Sequence, residues 1–149
     1  MSSMFDGTTI PLLEKIALFA DRRHDALTAN VANIDTPNYK RRDLPIEAFQ
    51  KALREAIADG RSRADQGVSA MNGSLANRSL GGDSAAAFPA QLFQAIEAKS
   101  PSLTFQDNNN RSIEHEMLEM TKNSLMQSFA IQLMSTQFGM LQAAIREQV

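Results

Sequence analysis

No cysteine occurs in the 149 residues. Disulfides and thiolate metal sites are therefore excluded. The absence also suits a chain that must cross an oxidising space without crosslinking. Tryptophan is missing too, tyrosine occurs once, and aromatics make up only 6%. A core must then be built largely from Leu, Ala and Met, and it will be thin. The net charge of −2 gives no bulk electrostatic footprint for nucleic acid. The first residues, MSSMFDGTTIPLLEK, lack the cationic start, apolar run and small-residue cleavage site of a secretory signal. The expectation is a chain that leaves the cytoplasm, if it does, by a route that reads no such signal. A membrane span is not expected either. From Asn123 to Ile145 there is no charge, but nine of those 23 residues are Asn, Ser, Gln or Thr. A span of about 20 mostly apolar residues does not tolerate that.

What is present is organised in three zones, within one domain by length. Residues 1–36 hold an N-terminal axial helix, predicted over Thr9 to Ile34 with Pro11 in its first turn. Leu13, Ala17, Ala20, His24, Leu27, Val31 and Ile34 alternate four and three apart, the spacing of one helix face. Residues 37–111 form a loop-rich, partly irregular middle. It contains a short amphipathic helix over Ile46 to Ala58, ended by Gly60. A Gly/Ser/Asn-rich stretch follows to Ser84, then a short helix near Ala90–Lys99 and an extended SLTF at 102–105. Residues 112–149 hold the C-terminal axial helix, with Ser112 as N-cap and Glu114 and Glu116 in the first turn. Its line is Ile113, Met117, Met120, Ser124, Gln127, Ile131, Met134, Phe138, Leu141 and Ile145. The fold class predicted is mainly α: an elongated antiparallel hairpin, coiled-coil-like, of the two long helices.

Catalytic chemistry finds no foothold. His24 has Asp21 on its face and His115 has Glu119 one turn on, pairs that could hold a metal or move a proton. Helical charge pairing explains both more simply. No H-E-x-x-H, G-x-S-x-G, P-loop or G-x-G-x-x-G motif occurs, and no metal, cofactor or enzyme activity is expected. Lys40, Arg41 and Arg42 could meet phosphate, but Asp43 follows directly, which favours a solvated or protein-facing patch. The clearer signal is the last helix, which carries no charge on any side for 23 residues after Lys122. Amides and hydroxyls pair across tight helix contacts without the desolvation penalty of a charge. Such a helix is expected to be surrounded by protein, and one partner helix cannot surround it.

The stretch ALTANVANIDTPNYKRRDL, Ala26 to Leu44, resembles the N-terminal signature of flagellar rod and hook proteins, A-x-N-x-A-N-x-x-T-P-G-Y-K, its leading Ala aside. Asn30, Ala32, Asn33, Thr36, Pro37, Tyr39 and Lys40 occupy its positions. Asn38 stands where Gly is common, a mild departure because Asn tolerates a left-handed backbone. RRDLPIEAFQKAL, the run Asp107–Ser112 and the ending QLMSTQFGMLQAAI are similar to the proximal rod branch of that family. Arg111 departs from it, where a small apolar residue is usual. The resemblance covers roughly residues 10–58 and 103–147 and leaves the middle unmatched.

The resemblance implies a structural subunit of the bacterial flagellar basal-body rod. Such a subunit assembles helically with copies of itself and other rod proteins, beside the adaptor FliE and the MS ring. It also implies a periplasmic location, reached through the flagellar type III export apparatus without a cleaved signal. The alternative is a soluble coiled-coil adaptor or export chaperone of a type III secretion system. The residues expected to make the helix packing and assembly contacts are Leu13, Leu27, Val31, Ile113, Met117, Met120, Ile131, Met134, Phe138, Leu141 and Ile145.

Overall fold

In the computed structural model, residues 9–69, 88–98 and 113–147 are described. Helix α1 spans Ile10–Ala32, with Thr9 at its N-cap and Pro11 in its first turn. The proline lacks an N–H that would have had no partner there. The helix stops because Pro37 disfavours helical backbone before it and because Asn33 closes the end. The Asn33 N–H donates to the Ala29 carbonyl at 3.1 Å and its side-chain amide donates to the same carbonyl at 2.8 Å. Further turns follow, with Thr36 N–H to Asn33 O at 3.0 Å and Tyr39 N–H to Thr36 O at 3.3 Å. Asn38 takes φ 60, the one positive φ at a non-glycine among the described residues. The residue that replaces the family's Gly thus adopts the left-handed backbone expected of it.

Strand β1 (Arg42–Asp43) pairs antiparallel with β2 (Ile96–Glu97), Arg42 opposite Glu97 and Asp43 opposite Ile96. Between them come α2 (Ile46–Ser69) and a four-residue 3₁₀ turn, Ala90–Phe93. Two expectations change here. Gly60 does not end α2, which continues nine residues further to Ser69. A single Gly costs a helix only about 1 kcal/mol, and no proline follows it within the helix. The short helix expected near Ala90–Lys99 shrinks to the 3₁₀ turn, because the ladder with β1 claims Ile96 and Glu97. The SLTF stretch and the Ser112 cap lie outside the described residues.

The core sits between α1, α2 and the 3₁₀ turn. Phe19 and Phe49 stack with ring centroids 3.9 Å apart, and Phe93 meets both rings edge-on. Phe88, Leu44, Ala26, Ala52 and Leu92 close around them. Four of the eight phenylalanines gather here, which is how a chain poor in aromatics obtains a core.

Helix α3 (Ile113–Glu147) has 35 residues, about 52 Å of helix at 1.5 Å per residue. It lies antiparallel to α1. Gln137 donates to the Thr9 hydroxyl, Asn123 Nδ2 to the Ala20 carbonyl at 2.7 Å, and Arg23 to Glu119 at 2.7 Å. Partners climb along one helix as they descend the other. The mainly α hairpin of two long terminal helices is the observed fold.

Candidate assembly interface

The α1–α3 seam is rotated by one residue from the apolar line read in the sequence. On α1, Leu13, Ala20 and Leu27 are buried as expected. The alternate row, however, is Ile16, Arg23 and Asn30 rather than Ala17, His24 and Val31; His24 is exposed and Val31 half-buried. On α3, Met120, Gln127, Met134 and Leu141 are half-buried. The buried row beside them is Glu116, Asn123 and Ala130, seven apart, not Met117, Ser124 and Ile131. The reason is cross-helix bonding and close approach. Arg23, Asn30, Glu116 and Asn123 each make a hydrogen bond across the seam, and Ala130 lets the backbones come near. An apolar count does not register such residues.

The signature stretch is held by this polar seam. Asn30, 4% exposed, is its hub. Its Nδ2 donates to the Arg42 carbonyl at 2.7 Å and to Glu116 at 3.1 Å. Its Oδ1 accepts from the Tyr39 hydroxyl at 3.1 Å and from the Arg42 N–H at 3.0 Å. Every hydrogen-bonding position of the amide is thereby used. Its partners all lie in its own chain, so its work is to fasten the turn and β1 to both helices. Asn33 and Thr36 shape the turn, with the Thr36 hydroxyl donating to Asn33 Oδ1 at 3.4 Å. Ala32 and Pro37 are exposed, and Tyr39 and Lys40 half-buried.

Beside the hub lies a buried ionic cluster. Arg23 clasps Asp43 with two bonds, at 2.9 and 3.0 Å, and reaches Glu119. Arg41 donates to Glu116 and, at 3.4 Å, to Asp43. Lys122 donates to Glu119 at 2.7 Å. Three cations thus meet three carboxylates. Burial on its own would raise the Glu119 carboxyl, but the hydrogen bonds from Lys122 and Arg23 override it and hold it at about 2. Burial would likewise lower the Arg23 guanidinium, and its bonds to Asp43 and Glu119 outweigh that and raise it. Arg41 is therefore an internal strut, not part of a solvated basic patch. Among the described residues no group of three or more His, Cys, Asp or Glu is arranged to hold a metal. Among them no helix is long and apolar enough to cross a membrane.

The rotation of the seam leaves the apolar residues of α3 outside. Along one flank run Ile113, Met117, Ile131, Phe138 and Ile145, between 46% and 68% exposed. Along the other run Leu118, Leu125, Phe129, Leu133 and Met140, between 38% and 67% exposed. A helix that exposes apolar residues on two flanks beside an occupied seam has surface left for further protein contacts. The five expected contact residues on the first flank therefore do not line the hairpin seam. They face away from the chain's own core. Between α2 and α3 an open groove of about 500 Å³ is lined by Ile16, Phe49, Leu53, Asn123, Phe129 and Leu133 among others. Asn123 Oδ1 is buried without a donor. Arg23, Asp43, Glu116 and Glu119 escape a search for apolar spacing because they are charged. The available signal was their spacing: Arg23 and Asn30 stand on the same face as Leu27.

Residues 20–40, the end of α1 and the clamped turn, match the family described as flagella basal body rod protein. The chain is 30% identical over 122 residues to the flagellar basal body rod protein FlgB of Aquifex aeolicus (strain VF5), covering 78% of this chain and 75% of the relative. It is 28% identical over 146 residues to the protein of the same description from Bacillus subtilis (strain 168), covering 96% of each.

Proposed function

Because the chain belongs to the FlgB family of flagellar basal body rod proteins, we propose that it acts by packing: it is a structural subunit of the rod, bearing torque between motor ring and hook through many helix contacts. The observation that carries this is the 35-residue helix with apolar flanks on both sides of an already occupied seam. Two flanks on one subunit present different surfaces to its neighbours. Contacts of that kind do not close as a dimer and build a helical array instead. Other rod proteins are partners on the same grounds. The adaptor FliE, the MS ring and passage through the type III export apparatus to a periplasmic position, without a cleaved signal, complete the proposal. A strain lacking the gene, complemented with a tagged copy, tests it. The tagged chain should co-purify with basal bodies and restore swimming. Recovery only as a free cytosolic pool, with rods assembled normally in its absence, would refute the reading.

A further inference from the structure

We propose that the groove between α2 and α3 receives the last uncharged stretch of α3, around residues 138–145, from a second copy of this chain. The proposal rests on the rod-subunit reading and specifies which surface meets which. The groove's walls are apolar, with Ile16 and Leu53 facing Phe129 and Leu133 across about 500 Å³. The ions at its end are already committed, Arg23 to Asp43 and Glu119, and Lys122 to Glu119. An incoming charge would lose water and meet ions that already have partners, which is unfavourable. The occupant is therefore uncharged. The chain itself carries such a helix, since no charge occurs from Asn123 to Ile145.

Two further features favour that segment. Asn123 lines the groove and its Oδ1 lacks a donor. This stretch of α3 sets the exposed amide of Gln142 beside exposed Phe138 and Ile145, and so brings N–H donors with an apolar face. The segment is also available. Leu141 lines a pocket with Thr9 and Ile10 at the start of α1, and Ile145, one turn further on, is 68% exposed. A chain cannot fill its own groove, because Asn123 and Ile145 belong to one continuous helix. Groove and plug are different surfaces, so each added copy leaves one of each free and the array stays open.

Phe129→Glu blocks the groove and Ile145→Glu blocks the plug, both at exposed positions that leave the core intact. In analytical ultracentrifugation each variant alone should self-associate about tenfold more weakly than the wild type, or less still. Mixed together they should form a 1:1 dimer that grows no further, since one intact groove meets one intact plug. Because the chain has no cysteine, Gln50→Cys and Ile145→Cys placed on separate copies should crosslink under mild oxidation, and the crosslink should vanish with Phe129→Glu. A mixture that stays monomeric, a wild type monomeric at its highest soluble concentration, or no crosslink would overturn the proposal. These failures would leave the rod reading standing as long as deletion of the gene still abolishes the rod.

Discussion

Asn30 makes four hydrogen bonds from one buried side chain, two of them to strand β1 and one each to the Tyr39 turn and α3. Alanine at that position would leave the buried Glu116 carboxylate and the part-buried Arg42 N–H short of partners, a loss of about 1–3 kcal/mol per stranded group. Asn30→Ala should therefore lower stability by about 2–4 kcal/mol in urea unfolding. Asn33→Ala, whose side-chain bond is exposed, should lose less than about 1 kcal/mol. Equal losses at the two asparagines would show that Asn30 is no hub. Glu119 carries the acid sensitivity of the same cluster. Its folded carboxyl lies at about 2, below the ordinary 4.5. Its contribution is complete above pH 4.5 and is lost as the pH falls from there towards 2. Glu119→Gln should flatten the dependence of the urea midpoint on pH within that window and leave the slope above pH 5 unchanged.

At the scale of the element, α2 shows how little a local signal decides when nothing opposes the helix. Gly60 sits inside α2, its backbone is helical, and a Cβ there would meet nothing within 4 Å. Gly60→Ala should stabilise the chain by about 0.5–1 kcal/mol, by restricting the unfolded chain and raising helix propensity. A higher thermal midpoint by circular dichroism is the expected result, and no change would mean that α2 frays before Gly60. The long terminal helices, their antiparallel pairing and the stop before Pro37 were legible in the sequence, because heptad spacing and proline act locally and strongly. Half of each seam was legible as well, since Leu13, Ala20 and Leu27 are apolar and buried. The other half was not. Arg23, Asn30, Glu116 and Asn123 become seam residues only because their partners arrive from segments 20 to 103 residues away. The strand pairing of Arg42–Asp43 with Ile96–Glu97 depends on contacts across a similar separation.

For the whole molecule the polar seam and the apolar flanks are two halves of one arrangement. A hairpin closed by apolar residues would hide them and offer neighbours a charged, solvated exterior. Here Arg23, Asn30, Glu116 and Asn123 close the hairpin and free Met117, Ile131, Phe138 and Ile145 to face outward. Specific hydrogen bonds fix which helix pairs with which inside the subunit, and apolar area remains to drive subunits together. This division makes the isolated chain and the assembled one respond oppositely to the same substitution. Ile131 and Phe138 are 53% and 46% exposed. An aspartate there meets water in the free subunit and should shift its stability by no more than about 0.5 kcal/mol. In the array the same carboxylate would be buried without a partner, at several kcal/mol per contact by order of magnitude. Ile131→Asp and Phe138→Asp should therefore leave the purified chain with wild-type helicity and melting, while swimming on soft agar is lost and the chain is missing from basal bodies. Normal swimming by both variants would show that this flank faces solvent in the rod. Unfolding of the purified chain would show instead that the flank belongs to the subunit's own core.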